Sequence, residues 1–249
     1  MKKLGFLDAR RPVVGGIAGW SGVPAILVPG HMNAFGIFED FLHSTELAAG
    51  ATVPGWELDA TGTTLSIADI IGGCVLLTTG GTDNDTGQLT LGSLDGGAFW
   101  PQAGKDIWFE ARVKHSYSHA DENLAFGLQD PSATEYLGDD GAGAAVNNHL
   151  FFSVLDGESE WYFEGDKAGE TDRNALGKTP EDLVFHTYGF HVRGVTQVDV
   201  YYDRELVAAG KVVTDNIPVT GLMPFIFIKA GSGNAEAIYV DYIMCVQER

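Results

Sequence analysis

Cysteine is nearly absent. Cys74 and Cys245 are the only two in 249 residues, which excludes a disulfide framework and suits maturation in a reducing compartment. Basic residues are scarce as well, 15 against 34 acidic ones, for a formal charge of −19. Phosphates would be repelled by such a chain, so no nucleic-acid partner is expected. No stretch approaches the roughly 18 consecutive apolar residues of a membrane span, so no membrane partner is expected either. Helix signals are few, and only Pro180-Glu181-Asp182-Leu183 reads as one turn of helix. What is plentiful is apolar material, 45% of the chain with 11% aromatic, together with 33 glycines. That supply supports a sizeable core and excludes disorder of the whole chain.

The charge divides unevenly. Residues 1–38 carry Lys2, Lys3, Arg10 and Arg11 against Asp8, a balance of +3 that leaves −22 on residues 39–249. Lys2 and Lys3 imitate a signal peptide, but Asp8, Arg10, Arg11 and Pro12 interrupt its apolar region. Val13 to Val28 is broken by Gly15, Gly16, Gly19, Gly22 and Pro24, which excludes a stable helix. The spacing therefore predicts an extended, apolar N-terminal arm over residues 1–38. Val13, Val14, Ile17, Trp20, Ile26, Leu27 and Val28 would either lie on the body as edge strands or be buried against another protein.

The body reads as β. Ile107, Phe109, Ala111 and Val113 alternate with Glu110, Arg112 and Lys114, the period of a half-buried strand. Similar runs fall at 124–128, 150–155, 160–163, 184–192, 198–202, 224–229 and 237–246, separated by Gly/Asp/Asn turn clusters. Val198 to Tyr202 and Leu206 to Ala208 read as a hairpin around Asp203-Arg204-Glu205. Strands at this spacing predict one all-β, two-sheet sandwich over residues 39–249.

An ordered set of motifs carries a resemblance: Thr82-Asp83-Asn84-Asp85-Thr86-Gly87, the strand Ile107 to Lys114, Ala125-Phe126-Gly127-Leu128, Tyr188-Gly189-Phe190-His191, Val200-Tyr201-Tyr202-Asp203 and the ending Val240 to Arg249. It resembles the concanavalin A-like, or laminin-G-like, jelly roll of tailed-bacteriophage virion proteins, over about residues 39–249. The resemblance implies a non-enzymatic capsid decoration (cement) protein on the outer capsid surface. It would be made in the host cytoplasm and bound to the major capsid protein, with a homo-oligomer as a further expectation. Arg10, Arg11, Val13, Val14, Trp20, Ile26, Leu27 and Phe35 would then anchor the arm. An extended chain spans about 3.3–3.6 Å per residue, enough to cross a capsomer boundary.

The rival reading is a lectin-like head fibre or adhesin module. Trp161 and Tyr162, with Trp100 and Tyr136, are its candidate sugar platforms. Catalysis would need paired carboxylates about 5–5.5 Å apart. Glu57-Leu58-Asp59 is the nearest candidate and lacks a third acid, so no catalytic residues are assigned. No cofactor is expected beyond calcium, for which Asp83-Asn84-Asp85 with Gln88, or Asp139-Asp140, supply oxygens without the EF-hand pattern. No metal ligands are assigned. His115 and His119 are spaced for a helix rather than a strand, and His186 and His191 should point to opposite faces. Nucleophile elbows, phosphate loops and Cys-x-x-Cys pairs do not occur.

Overall fold

In the computed structural model, the residues described are 34–41, 53, 55–68, 73–92, 97–116, 121–131, 148–207 and 216–249. They hold fifteen strands: β1 (Ala34–Glu39), β2 (Trp56–Thr61), β3 (Thr64–Ala68), β4 (Cys74–Thr78), β5 (Thr86–Leu91), β6 (Ile107–His115), β7 (Glu122–Gln129) and β8 (His149–Val154) come first. They are followed by β9 (Tyr162–Lys167), β10 (Glu170–Ala175), β11 (His186–Arg193), β12 (Gln197–Tyr202), β13 (Glu205–Leu206), β14 (Met223–Ala230) and β15 (Ala237–Glu248). Every strand pairing is antiparallel. One sheet has seven strands in the order β10-β9-β8-β7-β14-β5-β2. The other has eight, ordered β13-β12-β11-β6-β15-β4-β3, with β1 also on β15.

The core lies between the sheets and is aromatic. Phe109 stacks on Phe190 at 4.9 Å, and Phe126 on Phe152 at 5.6 Å. Alternation places the side chains as expected on β6: Ile107, Phe109, Ala111 and Val113 all point into this core and are buried. Its opposite face is less simple than a solvated one. Trp108 and Glu110 are buried there too, Trp108 stacked on His191 at 4.6 Å and Glu110 accepting from the Tyr242 hydroxyl at 2.6 Å. Pro180-Glu181-Asp182-Leu183 forms a turn, closed by Val184 N–H to Glu181 O at 3.4 Å, and not a helix. Among the described residues no helix is long and apolar enough to cross a membrane.

The predicted hairpin forms with a shorter loop. Tyr202 pairs with Glu205, so only Asp203 and Arg204 turn the chain, both at positive φ (50° and 65°). That is the primed geometry whose twist matches the flanking strands. Thr187 N–H donates to the Asp203 carboxylate at 2.9 Å and holds the turn against β11.

Two details correct the arm. Residues 34–39 form β1, paired from Ala34–Glu248 to Glu39–Ile243, so the sandwich begins before residue 39. The pairing is tight enough to demand glycine at position 36, where a Cβ would lie 2.4 Å from the Cys245 carbonyl oxygen. Phe35, expected in the anchor, instead packs on this domain's own core, stacked on Phe99 at 5.5 Å. The other proposed anchors, Arg10, Arg11, Val13, Val14, Trp20, Ile26 and Leu27, lie outside the described residues.

Candidate functional site

The outward face of the seven-stranded sheet gathers most of the chemistry. Register aligns Glu57, Thr90, Phe225, Gly127, Phe151, Glu164 and Arg173 across it. A parallel row runs Asp59, Gln88, Phe227, Ala125, Ser153 and Tyr162, and a third runs Met223, Gln129, His149, Asp166 and Thr171. Phe151, Phe225 and Phe227 form a second apolar cluster with Ala125 and Leu155. Its centre is Gly127, where a Cβ would meet the Leu150 carbonyl oxygen at 2.4 Å and Phe151 Cα at 2.7 Å. The Phe151 and Phe225 rings meet edge to face, centroids 5.7 Å apart.

A charged network borders this floor on the β9–β10 side. Arg173 grips Glu158 in a fork, Nη1 and Nη2 donating at 2.6 and 2.7 Å, and its Nε donates to Glu164 at 2.9 Å. Ser153 Oγ donates to the same Glu164 oxygen. The guanidinium lies 3.7 Å above the Tyr162 ring. Burial opposes the charge on Arg173, but the bonds to Glu158 and the charge of Glu164 outweigh it and hold its proton firmly. The floor is buried while Arg173, Glu158 and Tyr162 are half-buried, so the network forms a rim. Gln129 donates weakly to Thr90 Oγ1 at 3.4 Å, and its Oε1 is buried without a partner among the described residues. His149 stacks on Phe151 at 4.1 Å. Asp166 closes the neighbouring turn. Burial raises its proton affinity, and bonds from the Thr171 hydroxyl and the Gly169 and Asn148 amides overcome that and lower its pKa.

The two proposed sugar platforms fare differently. Trp161 is wholly buried, wedged edge-on against Phe126 and His115 and tilted on Tyr188 at 4.9 Å. Its backbone exchanges bonds with Lys178 and Leu176, which turns the ring inward, so it is core and presents nothing to a ligand. Tyr162, the next residue, points to the outer face and joins the rim. Tyr136 lies outside the described residues, and Trp100 is exposed.

Glu57 and Asp59 do share one face of β2, exposed, as their spacing predicts. Five strand spacings separate Glu57 from Glu164, about 24 Å, far beyond a glycosidase pair. The nearer acids, Glu158 and Glu164, are both bound by Arg173.

The proposed calcium oxygens do not converge in the Thr82–Asp85 turn. Asp85 accepts from Thr82 N–H at 3.2 Å, its carboxylate lodged where a Cβ on Gly62 or Gly80 would fall 2.0 or 2.2 Å away. Asn84 turns the chain at φ 67°, while Gln88 sits on β5 and bonds Thr90 at 3.1 Å. Among the described residues no group of three or more His, Cys, Asp or Glu could hold a metal ion. Asp139 and Asp140 lie outside them.

His186 and His191 do face opposite ways. His186 stacks on Tyr202 at 4.9 Å, whereas His191 stacks on Trp108 and bonds Asp106 at 2.9 Å. Cys74 and Cys245 are buried free thiols, and burial pushes Cys74 up to about 11. Sequence reasoning weighed His115 only with His119 and missed its partner Glu122, with which it forms a buried pair, Nδ1 and Oε1 2.5 Å apart. It also missed Arg173, because Glu170 to Ala175 shows no apolar alternation.

Two antiparallel sheets packed around this aromatic core make the domain a concanavalin A-like jelly roll. No protein-family model matches the chain, and no curated protein matches it. Solved structures share the fold. Peanut lectin aligns at 10% identity over 86% of this chain and 97% of its own, with a TM-score of 0.54. A structure from work on endo-acting O-glycanases of the human gut microbiota aligns at 12% identity over 84% and 98%, TM-score 0.55. A protein of unknown function from Shewanella oneidensis MR-1 aligns at 13% over 87% of both chains, TM-score 0.54. Lectins and glycan-acting enzymes thus share this architecture, and fold alone decides neither role.

Proposed function

We propose that the chain is a carbohydrate-binding module that recognises glycan through the outward face of its seven-stranded sheet. The observation that carries this reading is the half-buried rim of Tyr162, Arg173 and Glu158 on that face, where Arg173 grips Glu158 in a fork and lies over the Tyr162 ring. Sugars present hydroxyls and an apolar C–H face together, and fixed planar acceptors and donors beside aromatic rings complement both. The network is already bonded in place, so little ordering cost remains for binding. The lectin fold of its structural neighbours supports the same reading.

A glycan array with the intact chain is the test. Arg173→Ala should weaken binding to any glycan hit at least tenfold, because Glu158 and Glu164 lose their common anchor. Tyr162→Ala, on the half-buried rim, should weaken it while leaving the fold intact. No glycan bound by the wild-type chain would sink the proposal.

We propose capsid decoration as a second reading, with the segment that precedes β1 as the part that would reach the major capsid protein. This strand lies on β15 beside β4, so the basic segment before Ala34 joins the domain through an edge pairing. Deleting residues 1–30 keeps β1 whole and should leave melting within a few degrees of the parent. Under this reading the truncated protein no longer decorates capsids carrying the major capsid protein. Undiminished occupancy would remove the arm from the account.

A further inference from the structure

Trp100 lies between β5 and β6, and its hydrogen-bonding groups are occupied within the chain. Its amide donates to Gln247 Oε1 at 2.8 Å, its carbonyl accepts from Gln247 Nε2 at 2.5 Å, and its indole N–H donates to Val219 O at 2.6 Å. Behind it Phe99 and Leu222 exchange two backbone bonds, at 3.0 and 2.7 Å. Gly97 meets Gly221 so closely that a Cβ on Gly97 would fall 1.9 Å from the Gly221 carbonyl carbon. The backbone is tied on both its N–H and C=O and the ring by its indole N–H, yet Trp100 is 49% exposed and Val219 46%.

We propose that Trp100 and Val219 form a stacking platform for the apolar face of a neutral pyranose, apart from the sheet-face site. This rests on the carbohydrate reading and adds a second contact and a sugar class to it. With the indole N–H consumed by Val219, contact runs through the ring face, which suits the C–H side of a sugar. A ring already immobilised loses little freedom on binding. Two exposed side chains fall far short of the roughly 1,200 Å² that a specific protein interface buries, which argues against a second copy as occupant. The charge of −19 repels acidic sugars at low salt and so favours neutral ones.

The experiment takes a neutral oligosaccharide from the glycan array and titrates it against the full-length wild type, Trp100→Ala and Trp100→Phe. Calorimetry reads affinity, and acrylamide quenching of tryptophan fluorescence reads access to the ring. The expected result is a tenfold or greater loss for Trp100→Ala with melting little changed. Trp100→Phe should stay within about threefold, and sugar should protect a fraction of quenching that Trp100→Phe lacks. Unchanged affinity in Trp100→Ala overturns the platform and leaves the sheet-face reading standing. Preference for a sialylated or uronate glycan at low salt overturns the neutral class. Absence of any glycan binding by wild type overturns the carbohydrate reading and this inference with it.

Discussion

Trp161→Ala should destabilise the domain by about 3–5 kcal/mol, the range for deleting a buried large aromatic side chain. For a domain of this size that lowers the melting temperature by on the order of 10 °C. The side chain has no exposed surface, and its neighbours Phe126, His115 and Tyr188 approach from both sheets, so the space cannot refill without moving either layer. Glycan affinity per folded molecule should be unchanged, because the ring faces the core. A loss of binding at full stability would return Trp161 to a recognition role. Trp161→Phe separates volume from polarity. The indole N–H is buried without a partner among the described residues, so replacing it forfeits no hydrogen bond. Thermal unfolding followed by circular dichroism should place Trp161→Phe well between wild type and alanine.

The contrast between Trp161 and Tyr162 shows what the sequence could and could not disclose. Both are aromatic and consecutive, so one had to face inward, but periodicity cannot say which without the start of the strand. Strand β6 was legible because one apolar face buries against the opposite sheet and leaves a period-two mark, and β14 because Phe225 to Ile228 is an unbroken apolar run buried on both faces. β10 left no such mark, since it is a polar edge strand with its residues exposed or half-buried. Arg173 was hidden with it, and its partners Glu158 and Glu164 lie in other segments that only sheet register brings together. β1 was masked differently. Its alternation is interrupted by Gly36, whose presence reflects a close backbone approach rather than a turn. The acidic turn at Asp83 to Asp85 was legible as a turn, and its glycine-walled carboxylate was not.

Glu122→Gln should remove a loss of stability that the wild-type chain shows as pH rises above about 6.5. His115 and Glu122 are both buried, 2.5 Å apart, with Trp161 edge-on to the imidazole. Asp182, Glu236 and the Tyr188 hydroxyl are the other ionisable groups whose charges reach the pair. Burial lowers His115 from 6.5 to about 4, against the pull of Asp182 and Glu236. Burial, reinforced by Asp182, raises Glu122 well above its ordinary 4.5. The folded pair therefore holds one proton, on the carboxyl, across the neutral range. Between pH 4.5 and 6.5 the unfolded pair also holds one, on the imidazole, so this pair contributes no slope there. Above 6.5 the unfolded pair holds none, and stability falls by about 1.4 kcal/mol per pH unit until Glu122 releases its proton. Below 4.5 the unfolded pair holds two, and stability falls with acid until His115 is protonated near 4. Glutamine reproduces the neutral carboxyl and cannot ionise, while His115 titrates in both proteins, so the variant should match wild type near pH 4.5 and exceed it by a widening margin up to pH 8.5. Urea unfolding across that range decides the matter, and parallel curves for the two proteins would show that Glu122 is ionised in the folded state.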